Sequence, residues 1–163
     1  MRYYVYALLI IAVDQLTKWI VKSRLTLGEA RSVIGDFFLI TSHRNKGAAF
    51  SILQGQRWFF ILITLVVVGG VIWYLQRMRS ERRTLMCTAL SLLLGGAVGN
   101  LIDRAFTGEV VDFLQFNFHF FWFGKEVYYT YPIFNVADSA IVVGVALIFL
   151  EALVRLEKGQ TAG

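Results

Sequence analysis

The chain has 163 residues, of which 57% are hydrophobic, 17% are charged and one is proline, with a mean hydropathy of +0.61. A water-soluble domain of that length needs more polar surface, so the composition excludes an ordinary globular fold and points to a bilayer protein. The net charge of +5 does not indicate nucleic acid, because the basic residues sit at the ends of apolar runs and in loops, where they suit anionic lipid headgroups.

The first of four runs long enough to cross about 30 Å of hydrocarbon covers residues 3–21. No A-x-A-like cleavage site follows it, and Asp14 and Lys18 interrupt it, so it reads as a first anchor rather than a cleaved leader. These two residues stand four apart, the spacing of an acid–base pair on one helix face. Residues 22–57 contain "SVIGDFFLITSHRNKGAAFSIL", where β-branched and aromatic residues flank Gly35 and Gly47. That pattern predicts short strands forming a small sheet on the membrane surface.

The second and third runs, 58–75 and 84–102, carry no charge and are joined by "RMRSERR" at 77–83. The sole cysteine, Cys87, allows no internal disulfide and is expected to pack. The third run closes with "GGAVGNLIDR", in which Gly95, Gly96 and Gly99 permit close approach of another helix. Asn100 shares a face with Asp103 and Arg104. Residues 103–132 hold the aromatic run "FLQFNFHFFWFGKEVYYTY", for which burial at headgroup level is favoured over the core of a hairpin. The fourth run, 133–150, is "IFNVADSAIVVGVALIFL", with Asn135 and Asp138 on one face about one turn inside it. Glu151, at its far end, is expected to be wetted by the interface, near Arg155.

The expected fold is therefore a mainly α membrane protein: a single domain over 1–163, a bundle of four transmembrane helices, a small extracytoplasmic β-sheet subdomain and an interfacial loop or lid. Lys and Arg divide almost evenly, seven on the side of the termini and eight on the other. The density of charge in the short 77–83 loop places both termini in the cytoplasm.

Ionisable residues in or beside spans are functional candidates by default. Asp138 lies twelve uncharged residues before Glu151, about 18 Å of helix, which puts it in the outer part of the hydrocarbon. Asp112 follows Ile102 by ten residues, a tether of about 3.3 Å per residue that can bring it back over the bundle. Two carboxyls meeting in a dry site cannot both ionise; one keeps a proton while the other acts as a base, a pair able to activate water. The competing readings are a small polytopic transporter or proton/ion relay using the same carboxylates, and a scaffold in which they join helices. No internal repeat supports the transporter. His43 and His119, the only histidines, form no metal-binding motif, and no metal or cofactor is expected.

Five segments in order, "DQLTK" at 14–18, "RNKGAAFSIL" at 44–53, "GGAVGNLIDR" at 95–104, "EVVDF" at 109–113 and "FNVADSAI" at 134–141, together resemble bacterial lipoprotein signal peptidase, also called signal peptidase II. The resemblance spans nearly the whole chain. It implies a multi-pass aspartyl endopeptidase of the bacterial cytoplasmic membrane, with its site facing the outer leaflet; phospholipids are expected around it, and a monomer is expected because four helices can enclose the site. It further implies removal of signal peptides from diacylglyceryl-modified prolipoproteins by cutting before the lipidated cysteine. The family's catalytic aspartates fall on Asp112 and Asp138. Asn45 matches a residue that contacts the substrate peptide, and Asn100, Arg104 and Asn135 match residues that line the dyad and hold the peptide backbone. Asp14, Lys18 and Asp103 match supporting positions. The interval between Asp112 and Asp138 is longer than the resemblance leads one to expect, the extra residues falling after Leu114.

Overall fold

A computed structural model describes residues 1–47 and 55–160. Residues 48–53 of the "RNKGAAFSIL" motif lie outside the described residues. Four helices, α1 (Arg2–Arg24), α2 (Arg57–Ser80), α3 (Thr84–Phe106) and α4 (Val136–Gln160), are joined by two β-containing connections and one tight turn. Each has the length and apolarity of a membrane span. The strands are β1 (Ala30–Ile34), β2 (Phe38–Asn45), β3 (Val110–Trp122) and β4 (Lys125–Thr130), forming an antiparallel sheet in the order β1-β2-β3-β4.

Helix α3 is the axis of the bundle. In its most apolar window 61% of the residues are buried, against 11–22% in the other three, and α1, α2 and α4 all pack on it. Small residues allow this. A Cβ added at Gly95 would stand 2.9 Å from the Ala7 carbonyl oxygen of α1, one at Gly96 would collide with the Ala137 carbonyl of α4, and one at Gly144 would lie 2.8 Å from the Ala89 carbonyl of α3. Backbones thus touch where lipid alone supplies no hydrophobic force between helices. The outer faces of α2 and α4, with Leu62, Val66, Val142 and Phe149 exposed, suit hydrocarbon. Cys87 is fully buried in the cluster of Tyr3, Leu75, Met78 and Leu90.

A second apolar cluster, Val21, Leu25, Val111 and Phe113, seats β3 on the end of α1. The aromatic run forms regular structure: β3 and β4 make a long hairpin that also pairs with β2, so the two connections contribute to one sheet rather than to a sheet and a loop. The signal is the alternation Phe116, Phe118, Phe120, Trp122 against Gln115, Asn117, His119, a period of two. Glu151 also departs from expectation. It is 7% exposed rather than wetted, because Arg83 from the α2–α3 turn reaches back to donate to it at 2.7 Å, with Arg155 at 3.5 Å.

Candidate active site

The site forms where the start of α4, the start of β3 and the C-terminal halves of α1 and α3 converge. Helix α4 begins at Val136, three residues into the apolar run, because Asn135 caps it. The Asn135 Oδ1 accepts from the Asp138 backbone N–H at 2.9 Å, while the Asn135 N–H donates back to Asp138 Oδ2 at 3.2 Å. This is a reciprocal capping box with aspartate in the return position. Asp138 therefore stands in the first helical turn, where unpaired amides and the helix dipole favour a carboxylate, rather than a full turn inside an apolar helix.

Asp112 is brought to it by the strand. The Phe113 and Leu114 N–H groups donate to the Phe134 carbonyl at 3.0 and 2.8 Å, and Phe134 N–H donates to Leu114 O at 3.2 Å, fastening the lead-in of α4 against β3. The Asn135 side chain then donates through Nδ2 to Asp112 Oδ1 at 2.7 Å, so one residue contacts both aspartates. Asn45 Nδ2 donates to Asp112 Oδ2 at 3.0 Å, and Asn100 Nδ2 donates to Asp138 Oδ1 at 2.7 Å. All four carboxylate oxygens accept from amides. Burial, reinforced by the neighbouring charge of Asp138, pushes the Asp112 carboxyl up to about 7, against the lowering effect of its Asn45 and Asn135 hydrogen bonds.

Behind the pair lies a dry ionic cluster. Lys18 is 2% exposed and its Nζ lies 2.8 Å from Asp14 Oδ2, 2.9 Å from Asp103 Oδ2 and 2.9 Å from the Asn100 Oδ1 that accepts from it. Each contact leads onward. Asp14 Oδ1 accepts from the Ala137 N–H at 2.9 Å and so caps α4 from another helix. Asp103 Oδ2 accepts from the Val111 N–H at 3.3 Å, fixing the residue before Asp112. Asn100 holds Asp138. One ammonium thereby orients both elements that present the aspartates.

Asp112, Asp138, Asn45, Asn100 and Arg104 line one cavity of about 650 Å³, whose remaining wall is mainly apolar and includes Phe116, Phe118, Phe134, Ile141 and Val142. Arg104 donates to the Gly47 carbonyl at 3.3 Å and lies over the Phe60 ring. Asn135 is buried behind the pair, and Asp14, Lys18 and Asp103 are a layer further back. Sequence reasoning missed Gln15, whose Nε2 donates to Asp14 Oδ2, Gly99 O and Asp103 Oδ1 at 3.1–3.2 Å. It lies inside "DQLTK" but off the face shared by Asp14 and Lys18. Among the described residues, no group of three or more His, Cys, Asp and Glu could hold a metal ion.

Comparison with known proteins identifies the family of the chain. Lipoprotein signal peptidases of Bacillus pumilus and Bacillus subtilis are each 52% identical to the chain, over 94% of it and 93% of the relative in the first case and 98% and 97% in the second. Two solved bacterial membrane enzymes, determined by the in meso method, superpose with TM-scores of 0.81 and 0.79 at 40% identity. Each covers 93% of this chain, and the chain covers 87% and 92% of them respectively. A family model described as signal peptidase (SPase) II matches residues 6–154, and with relatives at half identity over nearly the full length, the chain belongs to the signal peptidase II family.

Proposed function

We propose that Asp112 and Asp138 are the water-activating pair of this enzyme, and that it cuts diacylglyceryl-modified prolipoproteins just before the lipidated cysteine. Membership of its family makes it a membrane peptidase that removes lipoprotein signal peptides. The observation that carries the residue assignment is the opening of two aspartates, one bonded to the Asn135 backbone and the other to its side chain, onto a single mainly apolar cavity.

In the proposed reaction the ionised carboxyl takes a proton from a water between the pair, while the protonated one donates to the scissile carbonyl oxygen. Attack of the water oxygen on the carbonyl carbon gives a tetrahedral intermediate. Its collapse breaks the C–N bond, moves a proton to the departing cysteine nitrogen and leaves the pair with one proton, as at the start. The raised Asp112 carboxyl suits it to hold that proton near neutrality. Asn45, Asn100 and Asn135 fix the carboxyls, and Arg104, over Phe60 and bonded to the Gly47 carbonyl, has further guanidinium N–H groups to meet peptide carbonyls entering the cavity. Asp14, Lys18 and Asp103 act as positioning residues. The apolar wall suits acyl chains.

The sheet and the aspartates lie at one end of the bundle and the "RMRSERR" turn at the other. That polarity supports cytoplasmic termini and a site facing the outer leaflet, with phospholipid against the exposed helix faces. The test is cleavage of a diacylglyceryl-modified precursor by the reconstituted enzyme across a pH series, with the cut mapped by mass spectrometry. The cut should fall immediately before the modified cysteine, and the rate should decline as pH rises through about 7 and the pair loses its last proton. Asn45→Ala removes a hydrogen bond that favours the ionised Asp112, so this decline should move to higher pH. Cleavage elsewhere, or a decline that stays in place in Asn45→Ala, would contradict the assignment.

A further inference from the structure

The tip of the β3–β4 hairpin is built in a way that neither the fold nor the peptidase chemistry explains. Trp122 pairs with Lys125, and the two residues between them, Phe123 and Gly124, have φ of +49° and +75°. A two-residue turn of this kind requires left-handed backbone at both positions, which Asn-Gly or Asp-Gly supplies with least strain. A bulky side chain in that region is an outlier. This chain nevertheless places phenylalanine there and leaves it 91% exposed.

The exposure continues down one face of the hairpin. Asp112, Phe116, Phe118, Phe120 and Trp122 share a parity on β3, and Tyr129 and Val127 oppose Phe118 and Phe120 on β4. Phe116 and Phe118 line the cavity together with Val142 and Val143, so this face looks onto the flank of α4 that is itself bare. The opposite face carries Asn117, Thr130, His119 and Glu126 but also the exposed rings of Phe121 and Tyr128. The outer end of the hairpin is thus aromatic on both faces, with a tip about 13 Å beyond Phe118 at strand rise and a lysine beside it.

We infer that the Trp122–Phe123 tip inserts into the lipid leaflet on the aspartates' side of the membrane, anchoring the free end of the hairpin at the boundary between headgroups and acyl chains. Three features select lipid as the occupant. The apolar face is continuous with the lipid-exposed flank of α4. Exposed aromatic rings with an adjacent lysine match the chemistry of that boundary. The strained turn keeps its aromatic residue where a polar one would fold more easily. The anchor would hold the outer wall of the cavity at fixed depth.

The inference is independent of whether Asp112 and Asp138 perform the chemistry, and its test does not read activity. Trp19, Trp58 and Trp73 are exposed and can be replaced by phenylalanine, leaving Trp122 as the only tryptophan. In phosphatidylglycerol–phosphatidylethanolamine vesicles containing brominated acyl chains, Trp122 fluorescence should be quenched several-fold more than by aqueous iodide. Phe123→Asn should reverse that preference while leaving thermal stability in detergent equal or higher, since asparagine suits the turn. Phe123→Leu should keep the lipid quenching. Three results would each overturn the inference: Trp122 quenched mainly from water, protection from both quenchers, as a protein contact would give, or Phe123→Asn losing stability with unchanged lipid quenching.

Discussion

Asp112→Asn and Asp138→Asn should each reduce cleavage of a lipidated precursor by about 10³-fold or more while the protein still inserts and folds, since positioned acid–base groups contribute about 10²–10⁴-fold each. The physical basis for separating the two effects lies in Asp112. Its carboxyl rises from an ordinary 3.8 to about 7 on folding. A carboxyl so raised binds more protons in the folded than in the unfolded state over that interval, so its contribution to stability falls as pH rises from about 4 to about 7 and stays low above. Asparagine carries no such charge. At pH 8 Asp112→Asn should therefore melt at the same temperature as the parent or higher, despite being inactive. A purely structural role predicts the opposite pattern, with lost stability and retained turnover. Measuring thermal midpoint and cleavage on the same purified sample distinguishes them.

The second large effect is expected at Lys18. Lys18→Met removes the only cation within 4 Å of Asp14 and Asp103 among the described residues and leaves both carboxylates buried. Breaking a buried ion pair in this way costs about 3–5 kcal/mol, a large part of a typical folding free energy of about 5–15 kcal/mol. Accumulation in membranes should drop sharply. Because Asp14 caps α4 and Asp103 fixes the strand before Asp112, the residual protein should also have a disordered site. The double variant Lys18→Met/Asp103→Asn should recover part of the lost thermal midpoint, since one stranded charge is gone. If Lys18→Met is as stable as the parent, the cluster is not what holds the two elements together.

How much of this was visible in the sequence depended on how local each signal was. The four helices follow from apolar runs; α1, α2 and α3 extend three to five residues past theirs, whereas α4 starts three residues inside its run and continues ten beyond it. Asp138 was legible as an anomaly, but its setting was not: spacing of three reads as a shared helical face, whereas Asn135 lies just outside the helix and its side chain closes a cap. That distinction needs Phe134 to be held outside the helix, which its pairing with Leu114, remote in sequence, does. Reach alone allowed Asp112 to approach Asp138. The three asparagines that grip the pair come from β2, α3 and the α4 cap, a convergence that only tertiary structure supplies.

The hairpin shows the opposite case. Its period-two alternation is present in "FLQFNFHFFW" from Phe116 onward, yet aromatics fall on both parities at Phe120 and Phe121, a density that equally fits interfacial burial. The segment is a strand pair whose rings are exposed from Phe118 onward. Gln15 was hidden for a simpler reason, since it lies about 100° around the helix from Asp14 and reaches the cluster only through the length of its side chain.

The shared proton can be observed directly by difference infrared spectroscopy of the carboxyl groups during a pH titration of the reconstituted enzyme. A protonated-carboxyl signal should disappear near pH 7, be missing in Asp112→Asn, and move to lower pH in Asp138→Asn, where the repelling neighbour is gone. A signal that persists unchanged in both variants, or no carboxyl titrating near neutrality at all, would contradict the coupled pair.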